Sequence, residues 1–374
     1  MAVLDLSLAK EIQSYGTMDF NACYSCGNCT AICELSEENA FFPRNLIRYG
    51  MLGMKDKILS SKEIWLCYGC GECSQTCPRE AEPGDYVAAL RRYAIAHYEP
   101  TGLTRLMFRR PWAFIGITLA VAVVLFFFLM TIKPDHEVNR WIFNLLPFDV
   151  VHDLGTYIFI FIGVITTFGL YKMLRGISKQ KTGKESSRSG LLTKIRKAIM
   201  KTAGELVTMN RYKECDRQDD AYWSPKPWFV KPWFVHWMIM MGFLGLLLAT
   251  ILDFILKDPA TDVWWPSRIL GTVAGLMMMY GATLAIYYRL VKPTHFYAKS
   301  SLSDWFFLAF LWLAGFTGFW LEAAVFFHAD SLTNQVMFII HTVISMELVL
   351  LLVFSKFAHA VYRPVALFLH FLQE

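Results

Sequence analysis

Cys23-Tyr24-Ser25-Cys26-Gly27-Asn28-Cys29-Thr30-Ala31-Ile32-Cys33 and Cys67-Tyr68-Gly69-Cys70-Gly71-Glu72-Cys73-Ser74-Gln75-Thr76-Cys77-Pro78 are two copies of one pattern, C-x-x-C-x-x-C-x-x-x-C. They take up eight of the nine cysteines in the chain. Three thiolates at this spacing turn inward around one centre, and a fourth must come from elsewhere. That is how cubane iron–sulfur clusters are held. In two-cluster ferredoxins the fourth cysteine of each motif ligates the other cluster. The expected sets are therefore Cys23, Cys26, Cys29 and Cys77 for one cluster, and Cys67, Cys70, Cys73 and Cys33 for the other. Zinc sites take two C-x-x-C knuckles per ion; a third cysteine at the same spacing and a fourth beyond it, twice over, speak against zinc. Asp5, Lys10, Glu11 and Asp19 interrupt the first twenty residues, so no secretory signal is expected, and such dense cysteines read as metal ligands in a reducing compartment rather than disulfides. Cys215, left over, reads as a plain reduced thiol.

Beyond Arg110 the composition changes. The whole chain is 55% hydrophobic and 16% aromatic, too apolar for an ordinary soluble protein, and the excess sits in its C-terminal two thirds. Six segments are long enough to cross a bilayer as helix, given a requirement of roughly 20 residues: Trp112–Ile132, Val151–Leu174, Phe234–Leu256, Ile269–Leu290, Trp305–Phe327 and Val336–Val361. Lys179, Lys181, Lys184, Arg188, Lys194, Arg196, Lys197, Lys201, Arg211 and Lys213 crowd the loop after the second span. Arg289, Lys292 and Lys299 follow the fourth, while residues 328–335 carry no Lys or Arg. Basic loops mark the cytoplasmic side, which places the N-terminal region and the C-terminus there, as an even number of spans requires. Residues 1–105 are thus expected to form a cytoplasmic helical domain, and 106–374 a membrane domain with a basic cytoplasmic loop at 175–233. Within the first, Leu46, Ile47, Met51, Leu52, Ile58 and Leu59 fall at helical spacing across Phe41–Trp65, and Val87–His97 also reads as helix. Leu191–Met209 is amphipathic and basic, suited to the inner membrane surface or to a docking partner. The repeat KPWFV at 226–230 and 231–235 reads as an interfacial anchor before the third span.

Ionisable residues inside a span are costly and mark functional candidates. His236 opens the third span and His359 lies near the end of the sixth. On one continuous helix His341 would stand about 27 Å from His359 at 1.5 Å per residue, level with His152 at the start of the second span. The histidines therefore sort into an inner pair, His236 and His359, and an outer pair, His152 and His341, each able to hold a haem between helices, or to serve as interfacial or packing histidines. Glu322 and Glu347 are carboxylates within apolar sequence: candidate proton relays for quinone chemistry, or packing residues.

The N-terminal region closely resembles the C subunit of heterodisulfide reductase. The resemblance rests on Pro43, Arg44, Ile47, Arg48, Leu52 and Gly53, on Ile64-Trp65-Leu66-Cys67 and on Cys77-Pro78, and covers Asp19–His97. It implies a helical ferredoxin fold with two [4Fe-4S] clusters. The membrane region resembles the cytochrome b of respiratory nitrate reductase gamma subunits and of heterodisulfide reductase's own E subunit. In the nitrate reductase pattern the last helix carries two haem histidines eighteen residues apart, as His341 and His359 are, and an earlier helix two that are ten apart. His236 matches the first of these, but Leu246 stands where the second would be. The inner haem carries over; the outer one needs His152 as a substitute. The fusion of both modules is similar to the C subunits of quinone-interacting membrane-bound oxidoreductases. That similarity implies menaquinone, two b haems, two soluble flavoprotein subunits related to the A subunit of heterodisulfide reductase, and adenylylsulfate reductase as electron partner in sulfate respiration.

The expected architecture is all-α: a helical two-cluster ferredoxin domain fused to a six-helix transmembrane cytochrome b-type bundle. The expected role is electron transfer between menaquinol and cytoplasmic partners, within a quinone-dependent oxidoreductase complex of the inner membrane, with no nucleic-acid partner. The alternatives are the membrane arm of a heterodisulfide- or sulfite-reductase-type complex, and a haem-free membrane anchor for the iron–sulfur head.

Overall fold

The computed structural model describes residues 4–16, 19–36, 42–132, 141–179, 191–215, 222–256, 265–294, 297 and 300–373. Among these, every regular element is helical and there is no strand. The N-terminal region is built on helix Pro83–Tyr98, which starts on a proline, where a missing N–H costs nothing. Tyr86, Leu90 and Tyr93 on this helix are fully buried, and the Tyr86 hydroxyl donates to the Leu46 carbonyl at 3.0 Å. The stretch Phe41–Trp65, helical by its spacing, is divided into Arg44–Met51, Lys55–Leu59 and Glu63–Leu66. It turns at Gly53, whose carbonyl accepts from the Asp5 N–H at 3.0 Å.

Six helices are long and apolar enough to cross a membrane: Pro111–Thr131, Phe148–Lys179, Pro232–Leu256, Pro266–Val291, Leu302–Phe326 and Leu332–Phe354. Leu119, Val123, Val124, Phe127 and Phe128 on the first face outward, an apolar surface that suits lipid rather than water. The chain is a multi-pass membrane protein by these helices. The third and fourth lie against each other with backbones close. A Cβ on Gly242 would sit 2.7 Å from the Ala274 carbonyl, and one on Gly281 2.8 Å from that of Val235. Small residues permit such approach where no hydrophobic force drives helices together.

Two spans differ from their sequence bounds. The second has 32 residues, roughly 48 Å at 1.5 Å per residue, well beyond a hydrocarbon core of about 30 Å. Its extension carries Met173 and Ile177 into the core of the N-terminal region, and Lys172 Nζ donates to the His97 carbonyl at 3.0 Å. The sixth stops at Phe354 instead of running on to Val361. Ser355 is extended (φ −121°, ψ −178°), a 3₁₀ turn covers Lys356–Ala358, and a new helix occupies His359–Gln373. The reason is electrostatic. The break lets the Lys356 ammonium reach the Asp304 carboxylate at the start of the fifth membrane helix, where Asp304 also closes a capping box with Ser301. Ser355 Oγ accepts the Phe357 N–H at 3.1 Å and stabilises the turn. His341 and His359 therefore lie on different helices, and the 27 Å expected of one straight helix does not apply.

The C-terminal helix packs under the N-terminal region. Tyr362 and Ala366 join the core formed by Leu8, Ile47, Trp65, Leu90 and Tyr93. The amphipathic helix appears as Leu191–Thr208, with Ala198 and Thr202 buried and Leu192, Ile199, Met200 and Val207 exposed. Of the basic residues expected in the loops, Lys181, Lys184, Arg188 and Lys299 lie outside the described residues, as does the side chain of Cys215.

Candidate metal centres

Both cysteine loops turn on a glycine in the left-handed region, Gly27 and Gly71, each with φ 90°. A side chain there would be strained. One-turn helices follow, Asn28–Ala31 and Glu72–Gln75, and place the third cysteine of each motif. The Asn28 side chain donates to the Thr76 carbonyl at 2.7 Å and ties the two loops together. A small cleft is lined by Cys23, Cys26, Cys29 and Cys77, together with Arg44, Ile47 and Pro78. Cys33 stands within electrostatic reach of Cys67, Cys70 and Cys29, and Cys73 of Cys67, Cys70, Cys33 and Cys29. Among the described residues no three His, Cys, Asp or Glu side chains converge tightly enough for a single ion. The first set surrounds a space rather than a point, which suits a cluster better than one metal.

The sulfurs sit in low-dielectric surroundings. Burial pushes the Cys33 thiol up to about 12, and the Cys67 and Cys70 sulfurs push the same way. Burial raises Cys29 and Cys73 as well. Thiolates in such places need positive charge beside them, and cluster iron supplies it. Backbone N–H groups already aim at sulfur: Gly69 at Cys67 Sγ, 3.3 Å, and Ala81 at Cys77 Sγ, 3.4 Å. Such bonds tune cluster potentials.

Residues 19–81 match the 4Fe-4S dicluster domain family. The chain is 31% identical over 63 residues to the C subunit of the H(2):CoB-CoM heterodisulfide,ferredoxin reductase of Methanothermobacter thermautotrophicus, covering 17% of this chain and 34% of that one. It is 35% identical over 49 residues to the iron-sulfur C subunit of the CoB--CoM heterodisulfide reductase of Methanopyrus kandleri (13% and 26%). With the C2 subunit of the H(2)/formate:CoB-CoM heterodisulfide,ferredoxin reductase of Methanococcus maripaludis it shares 38% over 56 residues (15% and 27%). The chain spans about a third or less of the length of these curated relatives. No solved structure matches it. An iron–sulfur dicluster domain related to the C subunit of heterodisulfide reductase is thus joined to a membrane-like helical region.

His236 and His359 face each other with ring centroids 6.3 Å apart and planes at 57°. Two imidazoles sharing one iron, each bonded at about 2 Å, would hold their ring centres about 6 Å apart. His359 Nδ1 donates to the Lys356 carbonyl at 2.8 Å, which fixes the ring and would leave Nε2 to ligate. His236 Nδ1 is buried without a hydrogen-bond partner. His236 and His359 are spaced as two imidazoles that would hold one haem iron.

The other two histidines each have neighbours of their own. His341 Nδ1 lies 2.8 Å from Thr317 Oγ1, and its Nε2 lies 3.4 Å from Ser345 Oγ. Both ring nitrogens are thus turned to hydroxyls. His152 stacks on Phe254 with centroids 4.3 Å apart, and its Nδ1 is 3.5 Å from the Asp153 carboxylate. Leu246 packs among Met278, Leu311 and Leu348. The two glutamates also differ. Glu322 accepts from the Thr272 hydroxyl, whereas Glu347 is 2% exposed with neither carboxylate oxygen bonded.

Four residues not singled out from sequence surround the buried cysteine set. Arg91 Nε donates to the Ile64 carbonyl at 2.7 Å and its Nη2 to that of Cys67. Burial holds this guanidinium below its ordinary pKa. Arg363 lies over the Tyr68 ring at 3.9 Å, and the Tyr68 hydroxyl donates to Glu205 on the amphipathic helix. Arg363 follows His359 by four residues, one helical turn on the same face. That spacing was the only signal in the sequence.

Proposed function

We propose that this chain carries electrons between menaquinol in the membrane and soluble partners, using one b-type haem and two [4Fe-4S] clusters. The observation that carries this is the His236–His359 pair, spaced for a shared iron beside a segment matching the dicluster family. Bound there, a haem supplies a one-electron carrier between a two-electron quinol and one-electron clusters. Cys23, Cys26, Cys29 and Cys77 hold the outer cluster. Cys67, Cys70, Cys73 and Cys33 hold the one nearer the histidines. Since Cys26 is exposed, the outer cluster is where soluble partners exchange electrons: two flavoprotein subunits related to the A subunit of heterodisulfide reductase, and through them adenylylsulfate reductase. The clusters and the C-terminus face the cytoplasm of an inner membrane, a reading that the basic loops support. Glu347, buried and unbonded, accepts the quinol proton.

Dithionite-reduced absorbance of the purified chain tests this. A b-type spectrum at one haem per chain is expected, with reduction also by a menaquinol analogue. The absence of haem bands would turn the chain into an anchor for its clusters. In the Glu347→Gln variant, stopped-flow reduction by the quinol slows by about 10²-fold, the usual contribution of a positioned proton acceptor, with haem and iron content unchanged. Wild-type rates would return Glu347 to packing.

A further inference from the structure

We infer that Arg91 and Arg363 form a cationic bridge between the cluster site at Cys67 and the imidazole pair, with Arg363 offering its free nitrogen to a carboxylate of the tetrapyrrole. This rests on the haem assignment above.

Both guanidiniums converge on one backbone oxygen. Arg91 Nη2 donates to the Cys67 carbonyl, and Arg363 Nη1 lies 3.5 Å from the same atom. Both also stand within electrostatic reach of the His236 and His359 rings. Arg91 comes from the N-terminal region and Arg363 from the C-terminal helix, so the bridge exists only where the two pack together. Among the described residues neither takes part in an ion pair with a carboxylate. Arg363 Nη2 is buried with no hydrogen-bond partner. Two half-buried guanidiniums with no carboxylate opposite them, one with a buried unbonded nitrogen, are costly. A thiolate-ligated cluster on one side and the carboxylates of a b-type tetrapyrrole on the other are the two anions this position can meet. Arginine suits both, because its fork donates in one plane to more than one acceptor.

The bridge is electrostatic, and neither arginine changes oxidation state. Adding an electron to either centre makes it more negative, which nearby positive charge favours. Arg91 and Arg363 therefore raise both reduction potentials together and leave the difference between them little changed. They are positioning residues, acting on the centres without ligating them.

The test uses the full chain in detergent, with haem and iron quantified and both centres titrated by optical and EPR redox potentiometry. In Arg363→Gln and Arg91→Gln, haem and iron are retained. The haem and one of the two clusters each shift negative by about tenfold in equilibrium constant, 59 mV for one electron. The second cluster is unmoved, and Arg363→Lys, which keeps the charge, recovers most of the shift. Haem-loaded Gln variants with wild-type potentials would overturn the bridge alone. A wild-type chain with no haem would overturn the haem assignment and the bridge with it. Equal shifts in Gln and Lys variants would mean a packing effect, which also rejects the bridge.

Discussion

Tyr24 and Tyr68 occupy the same place, directly after the first cysteine of each motif, and an arginine lies over each ring. Their surroundings differ. Tyr24 is 63% exposed, with Arg79 at 5.1 Å. Tyr68 is enclosed: it stacks on Tyr212 at 5.4 Å and 19°, carries Arg363 at 3.9 Å and bonds to Glu205. The loops themselves match, down to the left-handed glycine and the single helical turn. A shared local pattern thus sets the loop geometry, and what packs around each site sets the two apart. One loop opens to solvent, and the other is enclosed by the helices around it.

The largest effects test whether the two sites exchange their fourth cysteine. Cys77→Ser should lose the cluster of the exposed loop and Cys33→Ser that of the enclosed one, each halving iron per chain. Selective damage by Cys77→Ser to the cluster at Cys67, Cys70 and Cys73, seen by EPR, would reverse the assignment. Next comes the histidine pair beside the enclosed site. His236→Ala and His359→Ala should each remove the haem absorbance, and His341→Ala should leave it, since His341 is engaged with Thr317 and Ser345. Full haem in both inner variants would sink the pairing.

A smaller difference concerns access. Ferricyanide added to the intact chain should bleach the cluster bound by Cys26 on the order of tenfold faster than the other, followed by EPR. Equal rates would mean that the two sites are equally shielded. The smallest effect asks how alike the loops are. Gly27→Ala and Gly71→Ala should each cost on the order of 1–2 kcal/mol through backbone strain, read as matched decreases in apparent melting temperature. A much larger loss at Gly27 would point to its neighbour Arg44, 3.3 Å from where the new Cβ would lie.

Much of this was legible in the sequence. The cysteine spacing names its own chemistry, because ligation demands fixed residue types at fixed intervals. The membrane helices announce themselves by length and apolarity. What escaped depends on contacts far apart in the chain. The sixth span reads as continuous because the sequence does not reveal that Lys356 has Asp304 within reach. Arg91 is one arginine among many until helix Glu63–Leu66 and the C-terminal helix bring Cys67 and Arg363 to it.

Trp65, Tyr98 and Tyr362 meet in one aromatic cluster, with Tyr362 5.1 Å from Trp65 and 5.3 Å from Tyr98. The Tyr362 hydroxyl fills the space left by Gly169 on the second membrane helix. N-terminal region, C-terminal helix and membrane helix thus share a single apolar core. Domains swing on their tethers unless a large hydrophobic contact locks them, and here that contact is the core itself. The cluster-bearing region is therefore no shuttle that picks up charge at one station and delivers it at another. Throughput should be indifferent to solvent viscosity within the chain and sensitive to it only at the docking of the soluble partner.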